Sequence, residues 1–332
     1  MHPVLFKIPL TELTVKSYGL MMVIGFLSAV WLIRHLSRDI TPNPQMITNA
    51  ALYSLIAGVA GARIFYVLHY LEKFKGDYLS AFAIWNGGFE LLGGVILAII
   101  VIFAYLCYHK LPIRQYLDIL AISLLLALAL GRIGCFLSGC CFGKPANLPW
   151  AVRFPYNSDA YRSQVEPDPK RNRAEPYFKL PSDYFGYTDG PLKPFNDLSE
   201  EQKKFLVDKD IKKSLPVHPT ELYSSAAAGT GSFILYLFWR RSRKTQREKL
   251  HKLFTAPGST FALLFILYSI GRFLIEFLRD DNPFEYSWWA IYKGGTISQN
   301  SCIYLFIFGL VLMIIFQKYQ QRAAQKKNNR GG

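Results

Sequence analysis

Long apolar runs alternate with short charged segments along this chain, and one polar block interrupts them between about positions 155 and 217. A helix needs about 20 predominantly apolar residues to cross the hydrocarbon core of a bilayer. The runs predict seven such helices, over about 18–36, 47–68, 92–108, 116–137, 221–239, 259–278 and 299–316. The fold class expected is an all-α polytopic membrane protein. Residues 1–317 are expected to form one seven-helix domain interrupted by an insertion at 144–217, followed by a basic tail at 318–332. No internal repeat is evident. Met1, His2 and Pro3 lack a basic leader, and no small-residue cleavage site follows the first apolar run. That run is expected to be an uncleaved membrane helix.

The charges set an orientation. Basic residues in short cytoplasmic flanks fix topology. They gather after the first run (Arg34, Arg38), between the third and fourth (Lys110, Arg114), after the fifth (Arg240, Arg241, Arg243, Lys244, Arg247, Lys249, Lys252) and in the tail (Lys318, Arg322, Lys326, Lys327, Arg330). This places the N-terminus and the long block outside and the C-terminus in the cytoplasm. The net charge of +15 then suits an anionic bilayer surface, not nucleic acid. Long loops translocate whatever their charge, so the lysines of the block do not oppose this. The block is rich in Pro and Tyr, and reads either as a small extracytoplasmic cap or as a partly disordered arm.

Ionisable residues within membrane helices are costly and are functional candidates by default. Tyr268, Arg272 and Glu276 recur every fourth position, and Arg279 follows three further on. On a helix all four share one face. Two arginines around one carboxylate leave a net positive site suited to a phosphate, although an outer helix end anchored among headgroups has the same composition. Arg132 lies between Gly131 and Gly134, with Gly139 and Gly143 beyond. It reads as a second phosphate ligand at a helix break, or as a snorkelling side chain on a small-residue packing face. Arg63 and Tyr66 near the end of the second run admit both readings. Tyr18 sits at the mouth of the first run. His218 precedes Pro219, Thr220 and Glu221 where the chain re-enters the membrane, as a simple helix entry or as an available base. Trp85, Asn86, Gly87 and Gly88 lead towards Gly93 and Gly94, as an irregular cavity-lining backbone or a glycine-rich packing face.

Five cysteines occur, at 107, 135, 140, 141 and 302, none of them in the long block. Adjacent Cys140 and Cys141 with Cys135 five positions earlier do not match a C-x-x-C zinc or redox pattern. They are expected to be small buried thiols, and no metal or cofactor is expected.

Taken in order, Tyr18-Gly19, the Gly61–Arg63–Tyr66 segment, the glycine pairs 87–88 and 93–94, the segment 131–143 around Arg132, the segment 218–223, the run from Tyr268 to Arg279, and Ser298-Gln299 resemble the prolipoprotein diacylglyceryl transferase family. The motifs touch all seven runs and spare the long block. The resemblance implies a seven-helix enzyme of the bacterial plasma membrane. It would move the diacylglyceryl group of phosphatidylglycerol onto the lipobox cysteine of a prolipoprotein signal peptide, forming a thioether and releasing glycerol 1-phosphate. It assigns catalysis to Arg132, Arg272, Glu276 and Tyr18, and substrate binding to Arg63, Arg279, Tyr66, Gly93, Gly94 and Tyr268, and His218 is added as a candidate catalytic base. Three positions depart from the family pattern: Leu92 stands for a histidine, Cys135 for an asparagine and Cys140 for a glutamate. The first removes a favoured base. A same-fold enzyme with another acceptor, and a non-catalytic phospholipid-binding protein, are the alternatives. A secondary transporter lacks paired, repeat-related broken helices.

Overall fold

The apolar runs fold as helices, because a backbone in hydrocarbon must satisfy its own hydrogen bonds. The structure is a computed structural model that describes residues 4–7, 14–41, 43–74, 80, 82, 87–186, 190–248 and 254–331. Trp85, Asn86 and the first three residues lie outside that set. The helices are α1 Ser17–Ser37, α2 Gln45–His69, α3 Leu91–Tyr108, α4 Ile113–Ser138, α5 Asp159–Val165, α6 Glu200–Asp208, α7 Thr220–Arg247, α8 Ser259–Glu276 and α9 Ile297–Gly331. Helices α1, α2, α4, α8 and the first 26 residues of α9 are long and apolar enough to cross a membrane. This is the helix set of a polytopic membrane protein. Helix α3 is apolar but shorter over 92–108, and α7 carries serines on an inward face.

Beside the helices lies one short hairpin. Strand β1, Val4–Lys7, pairs antiparallel with β2, Thr14–Lys16, directly before α1. Short β-branched stretches (Val4; Thr14, Val15) outside the apolar runs satisfy their backbone groups by pairing with each other. Two helices also outlast their apolar runs. Helices α7 and α9 continue through their basic segments, because Lys, Arg and Gln are good helix formers.

Helix α4 is the hub, in contact with α1, α7 and α8, while α2 and α3 form a close pair at one side and α9 lies along α8. Ile119, Ile122 and Leu125 of α4 meet Leu235 and Trp239 of α7, Leu264 of α8 and Ile33 and Leu36 of α1. In lipid, small residues and interhelical hydrogen bonds hold helices together. A Cβ on Gly25 would lie 3.1 Å from the Ala127 carbonyl, and one on Gly231 3.0 Å from the Leu125 side chain. Ser225 and Ser232 of α7 donate to the Ala129 and Ile122 carbonyls of α4, each at 2.8 Å. Buried Asp118 of α4 accepts from the Gly258 and Phe261 amides at 2.8 and 3.0 Å. It thus caps the start of α8, where orphan amides and the helix dipole favour an anion.

Of the two readings of the long block, the described part is an ordered cap. Tyr161, Val165, Tyr184, Leu192, Leu198 and Leu206 form their own buried cluster. The Tyr161 and Tyr184 hydroxyls donate to the Ile211 and Gln202 carbonyls at 2.8 and 2.9 Å, and Ser199 with Gln202 forms a capping box on α6.

Candidate functional site

The 3.6-residue period puts Tyr268, Arg272 and Ile275 on one face of α8, and that face closes a cavity with α4 and α7. Its walls include Arg132 and Leu128 of α4, Ser224 and Ala228 of α7, and Tyr268 and Arg272 of α8. Two arginines from facing helices therefore line one chamber. The cavity is about 40 Å³, space for roughly three waters.

Arg272 is tethered on one side only. Its Nη2 lies 2.8 Å from Glu276 Oε2 and donates to Ser298 Oγ at 3.0 Å. Its Nη1 is buried without a hydrogen-bond partner among the described residues. Leaving such a donor unsatisfied costs about 1–3 kcal/mol, more when it is charged. An anion in the cavity would recover that cost. Glu276 is held from behind: Thr296 Oγ1 donates to its Oε1 at 2.8 Å and Asn282 Nδ2 at 2.5 Å. Its side chain is fully buried, so the ion pair is a positioning device that water does not weaken.

Arg279 is turned to a different partner. Its Nε donates to Asp281 Oδ1 at 2.8 Å and its Nη2 to Asp281 Oδ2. Glu276 Oε2 stands further off, 3.7 Å from Nε. The sequence spacing favoured Glu276; the bidentate fit of guanidinium to carboxylate favours Asp281, two residues on. Asp280 faces the cap, 3.3 Å from Arg171 Nε and 3.2 Å from Arg173 Nη1. Burial pushes the Asp280 carboxyl up from the ordinary value, and those two arginines oppose the shift.

A narrow strip of backbone, 142–144, ties these parts together. The Gly143 amide donates to the His218 carbonyl at 3.2 Å, and the Lys144 amide to the Leu278 carbonyl at 2.8 Å. A Cβ on Gly143 would lie 2.5 Å from the His218 carbonyl oxygen and 2.9 Å from that of Leu278, so only glycine fits. The His218 ring is 3.5 Å from the Tyr223 hydroxyl, which also accepts from Trp150 Nε1 at 2.7 Å. Tyr18 packs on α4 at Gly134, whose added Cβ would meet the Tyr18 Cα at 3.4 Å. There Tyr18 is within electrostatic reach of Arg132.

The family model for prolipoprotein diacylglyceryl transferase matches residues 3–315. The chain belongs to the prolipoprotein diacylglyceryl transferase family. Similar proteins named phosphatidylglycerol–prolipoprotein diacylglyceryl transferase occur in Clostridium tetani, 28% identical over 85% of this chain and 86% of that one, and in Methylococcus capsulatus, 27% identical over 94% of each. A third, in Bifidobacterium adolescentis, is 26% identical over 95% of this chain and 79% of its own. Membership places the chain among transferases.

In this family member the α2–α3 candidates stand apart from the two-arginine chamber. Arg63 is buried and donates to the Gly88 carbonyl at 3.0 Å, to that of Gly87, and to that of Ser80 at 2.9 Å. It neither snorkels nor reaches Arg132 through these contacts; it braces the turn in which Gly87 and Gly88 take φ values of 74° and 77°. Tyr66 lies over Gly88. Gly93 and Gly94 are a close-approach face: a Cβ on Gly94 would come 2.7 Å from the Gly58 carbonyl, and one on Gly61 2.6 Å from that of Gly93. Leu92 is 62% exposed.

Sequence reasoning missed Asp281, Asn282 and Thr296 as the shell around Arg272, Glu276 and Arg279. Asp281 and Asn282 lie two and three positions after Arg279, just past the run that the helical spacing covers. Thr296 is twenty positions from Glu276, and no local spacing signals it.

Proposed function

We propose that this protein transfers the diacylglyceryl group of phosphatidylglycerol to the lipobox cysteine of prolipoproteins, in the plasma membrane of a bacterium. The observation that carries the reading is the pair Arg132 and Arg272 lining one cavity, with Arg272 Nη1 buried and unpaired. The helices are assigned seven crossings, α1–α4 and α7–α9, with the N-terminus and the cap outside and the basic C-terminus in the cytoplasm. Residues 1–317 act as the transferase domain, with 144–217 as its extracytoplasmic insertion and 318–332 as its tail.

The phosphate of phosphatidylglycerol seats between Arg132 and Arg272. The acceptor sulfur attacks the glyceryl carbon that bears the phosphate ester. A C–S bond forms, the C–O bond to phosphate breaks, and glycerol 1-phosphate leaves with the electron pair. The thiol proton passes to a base or to the departing phosphate. The arginines stabilise the charge gained by that phosphate, and they are already oriented to do so. Glu276 fixes Arg272, and Tyr268 lines the same cavity. Thiolate is the reactive form, and nearby guanidiniums favour it. His218 takes the proton, since Glu276 is committed to Arg272, Thr296 and Asn282, while the Tyr18 phenol, which keeps its own proton, orients the substrate. Arg279, Arg63, Tyr66, Gly93 and Gly94 shape the approach of lipid and peptide.

Leu92, Cys135 and Cys140 favour a second reading, a same-fold enzyme with another acceptor. Expression in cells depleted of their own transferase separates the two. Thioether lipidation of a lipobox peptide is the expected result. Phosphatidylglycerol binding without lipidation would transfer the assignment to the second reading.

A further inference from the structure

The end of α4 folds back on itself. Gly139 caps the helix in the left-handed region, φ 77°, and its amide donates to the Cys135 carbonyl at 2.9 Å. Cys141, not a glycine, also takes a left-handed φ of 67°, a conformation that costs a side chain energy unless its surroundings hold it. The Thr220 hydroxyl holds it, donating to the Cys141 carbonyl at 2.8 Å. The result is that the Sγ atoms of Cys135, Cys140 and Cys141 all lie within 4.8 Å of one another. None of the three is in a disulfide. Beside them Glu221 is fully buried, with neither carboxylate oxygen hydrogen-bonded among the described residues, and it interacts electrostatically with Cys141. A buried carboxyl without a partner is costly, and it stands near Cys141 in a cluster whose thiols are held, among the described residues, only by one another, by the Cys135 carbonyl and by Arg279.

We propose that Cys135, Cys140 and Cys141 supply three thiolates to a structural site for a zinc-class divalent cation, which draws the nearby Glu221 carboxylate in as fourth ligand. Three sulfurs at this spacing need only contract slightly to meet a tetrahedral ion with metal–sulfur bonds of about 2.3 Å. Thiolate-rich sets select zinc over magnesium or calcium. The site joins Cys135 at the end of α4 to Glu221 at the start of α7, beside Arg279 after α8. These are the elements around the Arg132–Arg272 cavity, so the ion would clamp the chamber's outer end. On the outward orientation proposed above, a bound cation would also keep three clustered thiols from oxidising, in a compartment where disulfides persist.

The test uses the full-length protein in detergent, purified under reductant and stripped by a chelator. Cobalt(II) is titrated in as a spectroscopic probe and zinc as competitor. One equivalent of cobalt with thiolate-to-cobalt charge-transfer absorption, displaced by zinc, is expected. Cys140→Ser should weaken cobalt affinity by at least about tenfold, the lower end of what even outer-shell ligand partners cost. Glu221→Gln should weaken it while keeping the charge-transfer band, because the sulfurs remain. Absence of the band in folded wild-type protein would overturn the site, and so would an unchanged band in a Cys135→Ser/Cys140→Ser/Cys141→Ser variant. A disulfide among the three in protein that never met metal, with no cobalt uptake after reduction, would equally overturn it. Because the readout is metal binding, it stands apart from whether the chain lipidates a lipobox peptide.

Discussion

Arg272 and Glu276 lie one helical turn apart on α8, with Nη2 2.8 Å from Oε2, and the carboxylate is held from its far side by Thr296 and Asn282. The arginine is thereby fixed before any substrate arrives, and its second terminal nitrogen has no hydrogen-bond partner among the described residues. Positioned donors of this kind accelerate a reaction because they need no reorganisation as charge develops.

Replacing Glu276 separates position from charge. Glu276→Gln keeps an acceptor for Thr296 and is expected to fold, with kcat/KM for lipidation reduced about 10- to 100-fold, the equivalent of about 1.4–2.8 kcal/mol. Glu276→Leu leaves Arg272 and Arg279 buried without that charge, and a loss of about 3–5 kcal/mol in stability is expected. Thermal unfolding in detergent beside the lipidation assay distinguishes the two.

Arg132→Ala and Arg272→Ala are each expected to abolish turnover while the protein still folds. Arg272→Lys keeps the charge but loses the planar fork that reaches Glu276 and Ser298 together, so a large loss is expected there too. Wild-type rates in any of these variants would remove the phosphate-binding role.

The cap is anchored by a buried charge cluster, Arg171 and Arg173 on Asp280. Arg171→Ala leaves Asp280 less compensated and is expected to loosen the cap by about 3–5 kcal/mol. Limited proteolysis would show faster cleavage within 144–217 with the helical circular dichroism retained. Equal protease resistance in the variant would count against the anchor.

The glycine face between α2 and α3 predicts a steric effect without chemistry. Gly61→Val would force a side chain against the Gly93 carbonyl and Leu97. A stability loss of about 1–3 kcal/mol is expected from such overpacking, read as a lower unfolding temperature. Gly19→Ala, where an added Cβ meets nothing within 4 Å, should leave that temperature unchanged.

Much of the helical framework was legible along the chain, because the length of an apolar run and the four-residue spacing of Tyr268, Arg272 and Glu276 are local quantities. That spacing puts Glu276 within reach of both Arg272 and Arg279, and the fold pairs it with Arg272. The hairpin before α1 was not legible, since strands of three and four residues leave too short a pattern to read. The partner of Arg279 was not either: Asp281 and Glu276 are both within reach in sequence, and only the turn after α8 selects between them.

The sequence by itself determined that the chain makes apolar helices, carries intramembrane arginines and belongs with this family's ordered motifs. Each of those is fixed by residue type and spacing within a few turns. Only the tertiary structure decided which arginines meet. Arg132 and Arg272 share a cavity because α4 and α8 pack together against α7, whereas Arg63 donates to the carbonyls of Ser80, Gly87 and Gly88. It also decided that three cysteines converge, because a left-handed backbone at Gly139 and Cys141 reverses the chain, and a reversal of that kind is set by contacts from Thr220, far along the sequence.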